Sequence, residues 1–400
     1  MRFEPGVAPI GVIPLSVPCL RGNEWKYVKE CLDTNWVSSV GSFVDRFEAM
    51  LAARTGARFA VATTSGTAAL HVALQLLGVQ PGDEVVVSDL TFIASANAVR
   101  YLGAWPVFVD AEPRFWQMDP DKLQGFLRRD CQASADGLRN RHTGRRVRAI
   151  MPVHILGHPC DLDPIRELAR QFGLPVIEDA AEGLGALYRG TPIGHLGEIA
   201  CFSFNGNKIL TTGGGGMIVT DNAEWAARAR YLTTQAKDDP VEFVHGAVGY
   251  NYRLTNVQAA IGCAQMELLD EYVAEKRATA QHYTTAFRGV RGLTLPGEAG
   301  YAFSTFWLYT VLVAAGQFGC DSRTLLRELG GQGIQCRPLW QPMHRSPAHA
   351  GSWATDCSVA DALNRDGLSL PCSVGLTPEQ RQRVVEVLRS VAARFNGLAR

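Results

Sequence analysis

One lysine, Lys208, stands between a small polar run and four consecutive glycines in FSFNGNKILTTGGGG, residues 202–216. A lysine amine whose pKa falls on desolvation is a nucleophile that can form a Schiff base with an aldehyde. Glycines after it permit tight backbone bends against a ligand, and Ser203 and Asn205 upstream add a hydroxyl and an amide. A lone loop lysine is ordinarily a surface group, so its meaning depends on what else the chain supplies. In TTSGTAAL, Ser65, Gly66 and Thr67 fall where a strand gives way to a helix. Free N–H groups at a helix start, with hydroxyls beside them, suit a phosphate, although a plain helix cap from Thr64 or Ser65 is the commoner use of such residues. In VIEDAAEGLGA, Asp179 follows a strand end, where a carboxylate either caps a helix or keeps a pyridinium nitrogen protonated. Glu178 and Glu182 compete for that second role, and strand alternation alone does not choose among them.

A phosphate-type turn, an acid at a strand end and a loop lysine, in that order, are the three parts that pyridoxal phosphate needs. Competing anion motifs are missing: the chain has no G-x-x-x-x-G-K-[ST], because its lysine precedes the glycines, and no G-x-G-x-x-G opening a β-α unit. His154 and His158 in HILGH have the spacing of a helical metal pair, but Gly157 and Pro159 argue against a helix there. A polar loop without a metal is expected.

The elements that must position these groups alternate from about residue 58. RFAVAT leads into GTAALHVALQLLG, EVVVSD into TFIASANAVRYLG, WPVFVD follows, VRAIMPV leads into DLDPIRELARQFG, then comes LPVIEDAAE. Such repeats predict an α/β fold with a mostly parallel sheet covered by helices, whose ligands bind where strands end and helices begin. EIACFSF and GGMIVT read as two more strands flanking Lys208. An unbroken helical pattern then runs from Thr255 to about residue 287 with no proline to stop it. Beyond it the texture changes, so a boundary near residue 265 divides a large domain, 1–265, from a smaller C-terminal α/β domain, 266–400. Residues 128–148 form a basic, irregular insertion, expected as a solvated loop, with an anionic ligand as the alternative.

The 39 Lys+Arg balance 39 Asp+Glu, which argues against nucleic acid or an anionic membrane as partner. Apolar runs are strand-sized, and Glu4 with several prolines interrupts the first twenty residues, so neither a membrane span nor a signal peptide is expected. Ten cysteines without a C-x-x-C pair read as reduced thiols, and the expected location is the cytoplasm.

From PLSVPCLRGNEWKYVKECLDTNWVSSVGSFVDRFE through TTSGTAAL, EDAAEGLGA, FSFNGNKILTTGGGGM and GYNYRLTNVQAAIG to RPLWQPMH, the chain resembles the DegT/StrS-type sugar-nucleotide aminotransferases of fold type I. Its N-terminal stretch and NGNKI look most like the branch that aminates C4 of UDP-linked 4-keto-6-deoxy N-acetylhexosamines. The resemblance implies that Lys208 is the Schiff-base lysine and the proton carrier, that Asp179 pairs with the pyridine nitrogen, and that Glu182 lies near the ring hydroxyl. It places Phe92 over the ring face and Gly66, Thr67 and Ser203 at the phosphate. Asn251 is expected to reach the cofactor of a neighbouring subunit in a homodimer with shared sites, and Arg253 to meet the substrate diphosphate or the donor carboxylate. Ser39, Trp340 and His344 fall in motifs that line the substrate cleft. Many relatives carry Gln where Glu182 stands, which leaves the role at 182 less defined than at 179.

The expected activity is transfer of an amino group from glutamate to a nucleotide-linked keto sugar. Two rivals share the fold: a sugar dehydratase, whose members carry histidine in place of the anchoring lysine, and a non-catalytic regulator, which would be free to lose Lys208 or Asp179. Both residues are present.

Overall fold

The computed structural model describes residues 11–239 and 241–398, with the side chains of 396–398 left aside. The first ten residues, with Glu4, lie outside the described residues. The central sheet is built from β1 (Phe59–Thr63), β2 (Glu84–Ser88), β3 (Trp105–Val109), β4 (Arg146–Met151), β5 (Ile177–Asp179), β6 (Ile199–Ser203) and β7 (Gly216–Thr220). Strands β3-β2-β4 pair in parallel, as do β5 and β6, and bridges Ile150–Val176 and Val153–Asp179 join β4 to β5. β7 runs antiparallel between β6 and β1. The parallel strands, buried on both faces, are near-continuous apolar runs such as Val85, Val86 and Val87. β7 is the exception to the parallel rule: the short glycine loop after Lys208 has no room for a crossover helix and returns the chain as a hairpin partner.

Four helices matter for the site: α1 (Glu24–Asp33), α2 (Ser42–Thr55), α3 (Gly66–Leu76) and α4 (Ala94–Tyr101). α3 is buried over most of its length, because its apolar residues run all round and it lies under the sheet rather than on the surface.

The helical pattern after Thr255 is not one helix. It divides into α5 (Asn256–Met266) and α6 (Leu269–Phe287). Thr255 and Gln258 form a reciprocal capping box at the start of α5. At the break, the Glu267 carboxylate accepts hydrogen bonds from Asn23, Tyr27 and Arg46. Those bonds hold the junction against α1 and α2 and let α6 leave in a new direction, a tertiary effect that local helix periodicity does not register.

A second, antiparallel sheet holds Leu293–Thr294, Tyr309–Val313, Gly367–Leu370 and Arg337–Pro338, with the helix Pro378–Leu398 in the same half of the chain. The N-terminal strap binds this half too: Ile13 bridges Ile334, and Leu15 accepts from the Cys372 N–H at 2.9 Å.

The basic insertion is not irregular. Cys131–Ser134 and Gly137–Asn140 form a hairpin on the edge of β4, turning at Ala135 and Asp136, with Gly137 opening the second strand at φ +122°. Several of its charges are paired, Arg139 with Asp136 and Arg146 with Asp83, and His142 Nε2 meets Asp130 at 2.9 Å. The buried Glu84 carboxylate accepts from Asn140 and Thr143. All ten cysteines are free thiols. Among the described residues, no helix is long and apolar enough to cross a membrane.

Candidate active site

The carboxyl ends of β1, β2, β4, β5 and β6 open onto one cavity of about 290 Å³, where Gly66, Thr67, Phe92, Asp179, Glu182, Ser203 and Lys208 meet. At the end of β1, Ser65 caps α3 by accepting the Ala68 N–H at 3.0 Å. The cap does not use up the first N–H groups of the helix, at Gly66 and Thr67, which have no acceptor within it. Glycine is required here by close approach. A methyl on Gly66 would lie 2.8 Å from the Ser203 side chain, and one on Gly216 would overlap the Ser65 backbone.

Alternation along β5 separates the acids that sequence left open. Glu178 turns away, accepts the N–H groups of Leu196 and Gly197 at 2.8 and 2.7 Å, and meets His154 Nε2 at 3.1 Å. The Cys160 N–H donates to His154 Nδ1 at 3.0 Å, which leaves Nε2 to meet Glu178. HILGH is a loop, and His154 and His158 are both buried in it. Asp179 faces the cavity and is 3% exposed. It accepts from Ser95 Oγ at 2.6 Å and from the Ala181 N–H at 3.1 Å. Burial pushes its carboxyl above the usual range, against the pull of Ser95, Ala181 and the Lys208 charge.

Glu182 is likewise pushed up by burial and pulled back by Lys208. One oxygen accepts the Leu156 N–H at 2.8 Å, which holds Leu156 at φ +59°, a conformation L side chains avoid. The other lies 3.2 Å from Lys208 Nζ. The Lys208 amine also sits 4.1 Å from the centre of the Trp307 ring, and Trp307 stacks nearly parallel on Trp340 at 6.4 Å. Trp340 and Asn205 reach the cavity, and Phe92, 55% exposed, stands at its mouth.

Other expected site residues are not brought to this cavity within one chain. Arg253 pairs with Glu48 at 2.5 Å, on the carboxylate that also takes Arg230. Asn251 is exposed and bridges Thr234. Ser39 is half-buried in the loop before α2. His344 Nδ1 meets the buried Asp89 carboxylate at 2.7 Å, which raises the His344 pKa.

Two contributors escaped the sequence reading. Ser95 lies in the first turn of α4, and its signal was a hydroxyl four residues after Thr91, to which it bonds at 3.1 Å. Trp307 sits in an apolar run that reads as core, and only the fold lays its face on Lys208. A wider groove of about 730 Å³ runs along Leu162–Phe172 to His195, open and lined by charges that pair with one another, such as Arg170 and Glu167.

The residues fit pyridoxal phosphate. The glycine-lined cup beside Ser203 leaves room for a phosphate, and the buried Asp179 has hydrogen-bond donors but no ion-pair partner among the described residues, which a protonated ring nitrogen would supply. An amine for covalent attachment stands alongside.

Comparison with known proteins agrees. Residues 18–389 match the model of the DegT/DnrJ/EryC1/StrS aminotransferase family. A GDP-perosamine synthase of Caulobacter vibrioides is 43% identical over 95% of this chain and 98% of its own. EpsN of Bacillus subtilis, described as a pyridoxal phosphate-dependent aminotransferase, is 39% identical over 94% of this chain and 95% of its own. Among solved structures, the aminotransferase TlmJ from Streptoalloteichus hindustanus superposes with a TM-score of 0.86 at 29% identity, covering 96% of this chain and 99% of that one. The chain belongs to the DegT/DnrJ/EryC1/StrS family and is a pyridoxal phosphate-dependent sugar aminotransferase of fold type I.

Proposed function

We propose that this enzyme moves an amino group from glutamate to C4 of a nucleotide-linked 4-keto-6-deoxy sugar, in the making of an amino sugar for surface glycans, as a cytoplasmic homodimer. The observation that carries the reading is the Lys208 amine, 3.2 Å from Glu182 and in one cavity with Asp179 and the glycine-lined cup.

When bound, pyridoxal phosphate supplies an aldehyde that takes up the amino group and a ring that accepts the electrons of the broken C–H bond. In this reading Gly66, Thr67 and Ser203 seat the phosphate at the start of α3. Asp179 keeps the ring nitrogen protonated, held in place by Ser95. In each half-reaction Lys208 Nζ would both take a proton and give it up, from the donor's α-carbon to the cofactor in the first and from the cofactor to sugar C4 in the second. Glu182 receives the Nζ hydrogen bond and keeps the amine beside the reacting carbon. Phe92 and Trp340 cover the cavity and exclude water. The sugar's nucleotide contributes binding remote from the reacting carbon and so orients it.

The name of the 43% identical relative supports GDP as the nucleotide. The N-terminal and NGNKI motifs support UDP and an N-acetylhexosamine. Purified enzyme preloaded with amino groups from glutamate, then challenged with GDP-, UDP- and dTDP-linked 4-keto-6-deoxy sugars, decides among them. Amination of the GDP sugar at least about tenfold faster in kcat/KM supports GDP, and the reverse order supports the UDP branch. Failure of all three removes the 4-keto substrate class.

The dimer is supported by apolar side chains left open in one chain: Trp25 at 82% exposure and Trp36 at 56%, with Val241, Phe243 and Val248 on and beside the Lys237–Asp239 and Val244–His245 hairpin. Asn251 follows that hairpin. Arg253 is then the reach of this chain toward substrate only if it leaves Glu48.

A further inference from the structure

Lys276, on α6, is 2% exposed and takes no part in the chemistry above. Its Nζ donates to the backbone carbonyls of Trp307 at 2.8 Å and Cys372 at 2.7 Å, and forms no ion pair with a carboxylate among the described residues. The Cys372 thiol donates to the same Trp307 carbonyl at 3.3 Å. An ammonium buried against two carbonyls is costly to keep, and burial lowers its pKa. What it secures is Trp307, which is 3% exposed.

Trp307 in turn acts on the reactive lysine twice. Its Nε1–H donates to the carbonyl of Asn207, the residue before Lys208, at 2.8 Å. Its ring face lies 4.1 Å from Lys208 Nζ. The same Asn207 carbonyl accepts from Ser16 Oγ at 3.0 Å, so strap and indole share one anchor. A single side chain thus fixes both the backbone and the amine of residue 208. The groups that face that amine are the Glu182 carboxylate at 3.2 Å, the Trp307 ring and the buried Asp179.

We propose that Trp307 is the residue that sets the position of the Lys208 amine, and that Lys276 is a positioning residue that acts on Lys208 only through Trp307. The indole face and the bond to Asn207 keep the amine, once freed during the cycle, close to the reacting carbon between Glu182 and the ring. The inference rests on Lys208 being the reactive amine.

The test uses the full-length apoenzyme and reads no catalysis. Competitive labelling of lysines with acetic anhydride, read by peptide mass spectrometry, gives the reactivity of Lys208 relative to the exposed lysines of the same molecule. Trp307→Leu is expected to raise the relative labelling of Lys208 severalfold, because the amine is no longer held under the ring. Trp307→Phe keeps a ring and is expected to hold the labelling nearer the wild type, while amide exchange of residues 208–211 quickens because the bond to Asn207 is lost. Lys276→Met is expected to change the labelling in the same direction as Trp307→Leu, and to add nothing in the Trp307→Leu background. Unchanged labelling in Trp307→Leu, or additive changes in the double variant, overturns the proposal. If Lys276→Met does not fold, the two Trp307 variants still decide the first half, and Lys276→Leu with near-ultraviolet dichroism of Trp307 decides the second. Failure of the underlying reading shows separately, as a wild-type Lys208 that borohydride does not fix to pyridoxal phosphate.

Discussion

Asp179 and Glu182 are carboxylates taken out of water within reach of one amine, and each has a different way of being reconciled to burial. Among the described residues, Glu182 has Lys208 as a partner in the apoprotein, whereas Asp179 has only the hydroxyl of Ser95 and one backbone N–H. Burial raises Asp179 above its ordinary 3.8, so its contribution to stability is greatest below that pH and is lost as pH rises through the folded value. Asp179→Asn removes the charge, and the variant apoprotein should melt higher than wild type at pH 7, with the gap closing toward pH 4 and below. Added pyridoxal phosphate should reverse the order, because wild type gains a cation opposite Asp179 and the variant does not. Activity should fall by at least about a hundredfold. A variant apoprotein less stable than wild type at pH 7 would contradict the view of Asp179 as a charge waiting for a ring nitrogen. The lysine, the strand-end acid and the Ser-Gly-Thr turn were legible in sequence because each is a local signal with a known chemical use. The choice between Glu178 and Asp179 was not, since it depends on which face of a three-residue strand meets the cavity.

At the scale of elements, the cup for the phosphate is made by three strand ends and one helix start brought within van der Waals contact. Gly216 is the tightest point: it pairs with Thr63 on one side and Ser203 on the other, and any side chain there meets the Ser65 backbone. Gly216→Ala should cost about 1–3 kcal/mol in a thermal or denaturant melt, by forcing β1 and the α3 start apart, and should loosen retention of pyridoxal phosphate in a fluorescence titration. Wild-type stability with wild-type retention would show that the cup is not set by this contact. The alternating strands and helices around it were legible from periodicity and composition. The break after Met266 was not, because what ends α5 is Glu267 bonding to α1 and α2 rather than a proline or glycine in the local sequence. The hairpin within 128–148 was hard to read because its two turn residues, Ala135 and Asp136, are not a strong hairpin pair and arginines crowd around them.

At the scale of the whole molecule, the cavity holds Lys208, Glu182 and Asp179, while Asn251 and Arg253 stand away from it in the same chain. The proposed dimer with shared sites would account for the separation. Mixed dimers of Lys208→Ala and Asn251→Ala chains should then recover about a quarter of wild-type activity, since half of the random dimers carry one intact site of two. No recovery on mixing would place Asn251 outside the partner's site. The central claim, that Lys208 carries a pyridoxal phosphate amino-transfer reaction, is tested most directly by the absorbance spectrum of the purified enzyme before and after glutamate, with Lys208→Ala alongside. The account predicts a visible band in the wild type that glutamate bleaches into the near ultraviolet, and neither the band nor the change in the variant. A wild type without the band after pyridoxal phosphate is added, or a variant that responds to glutamate in the same way, would contradict it.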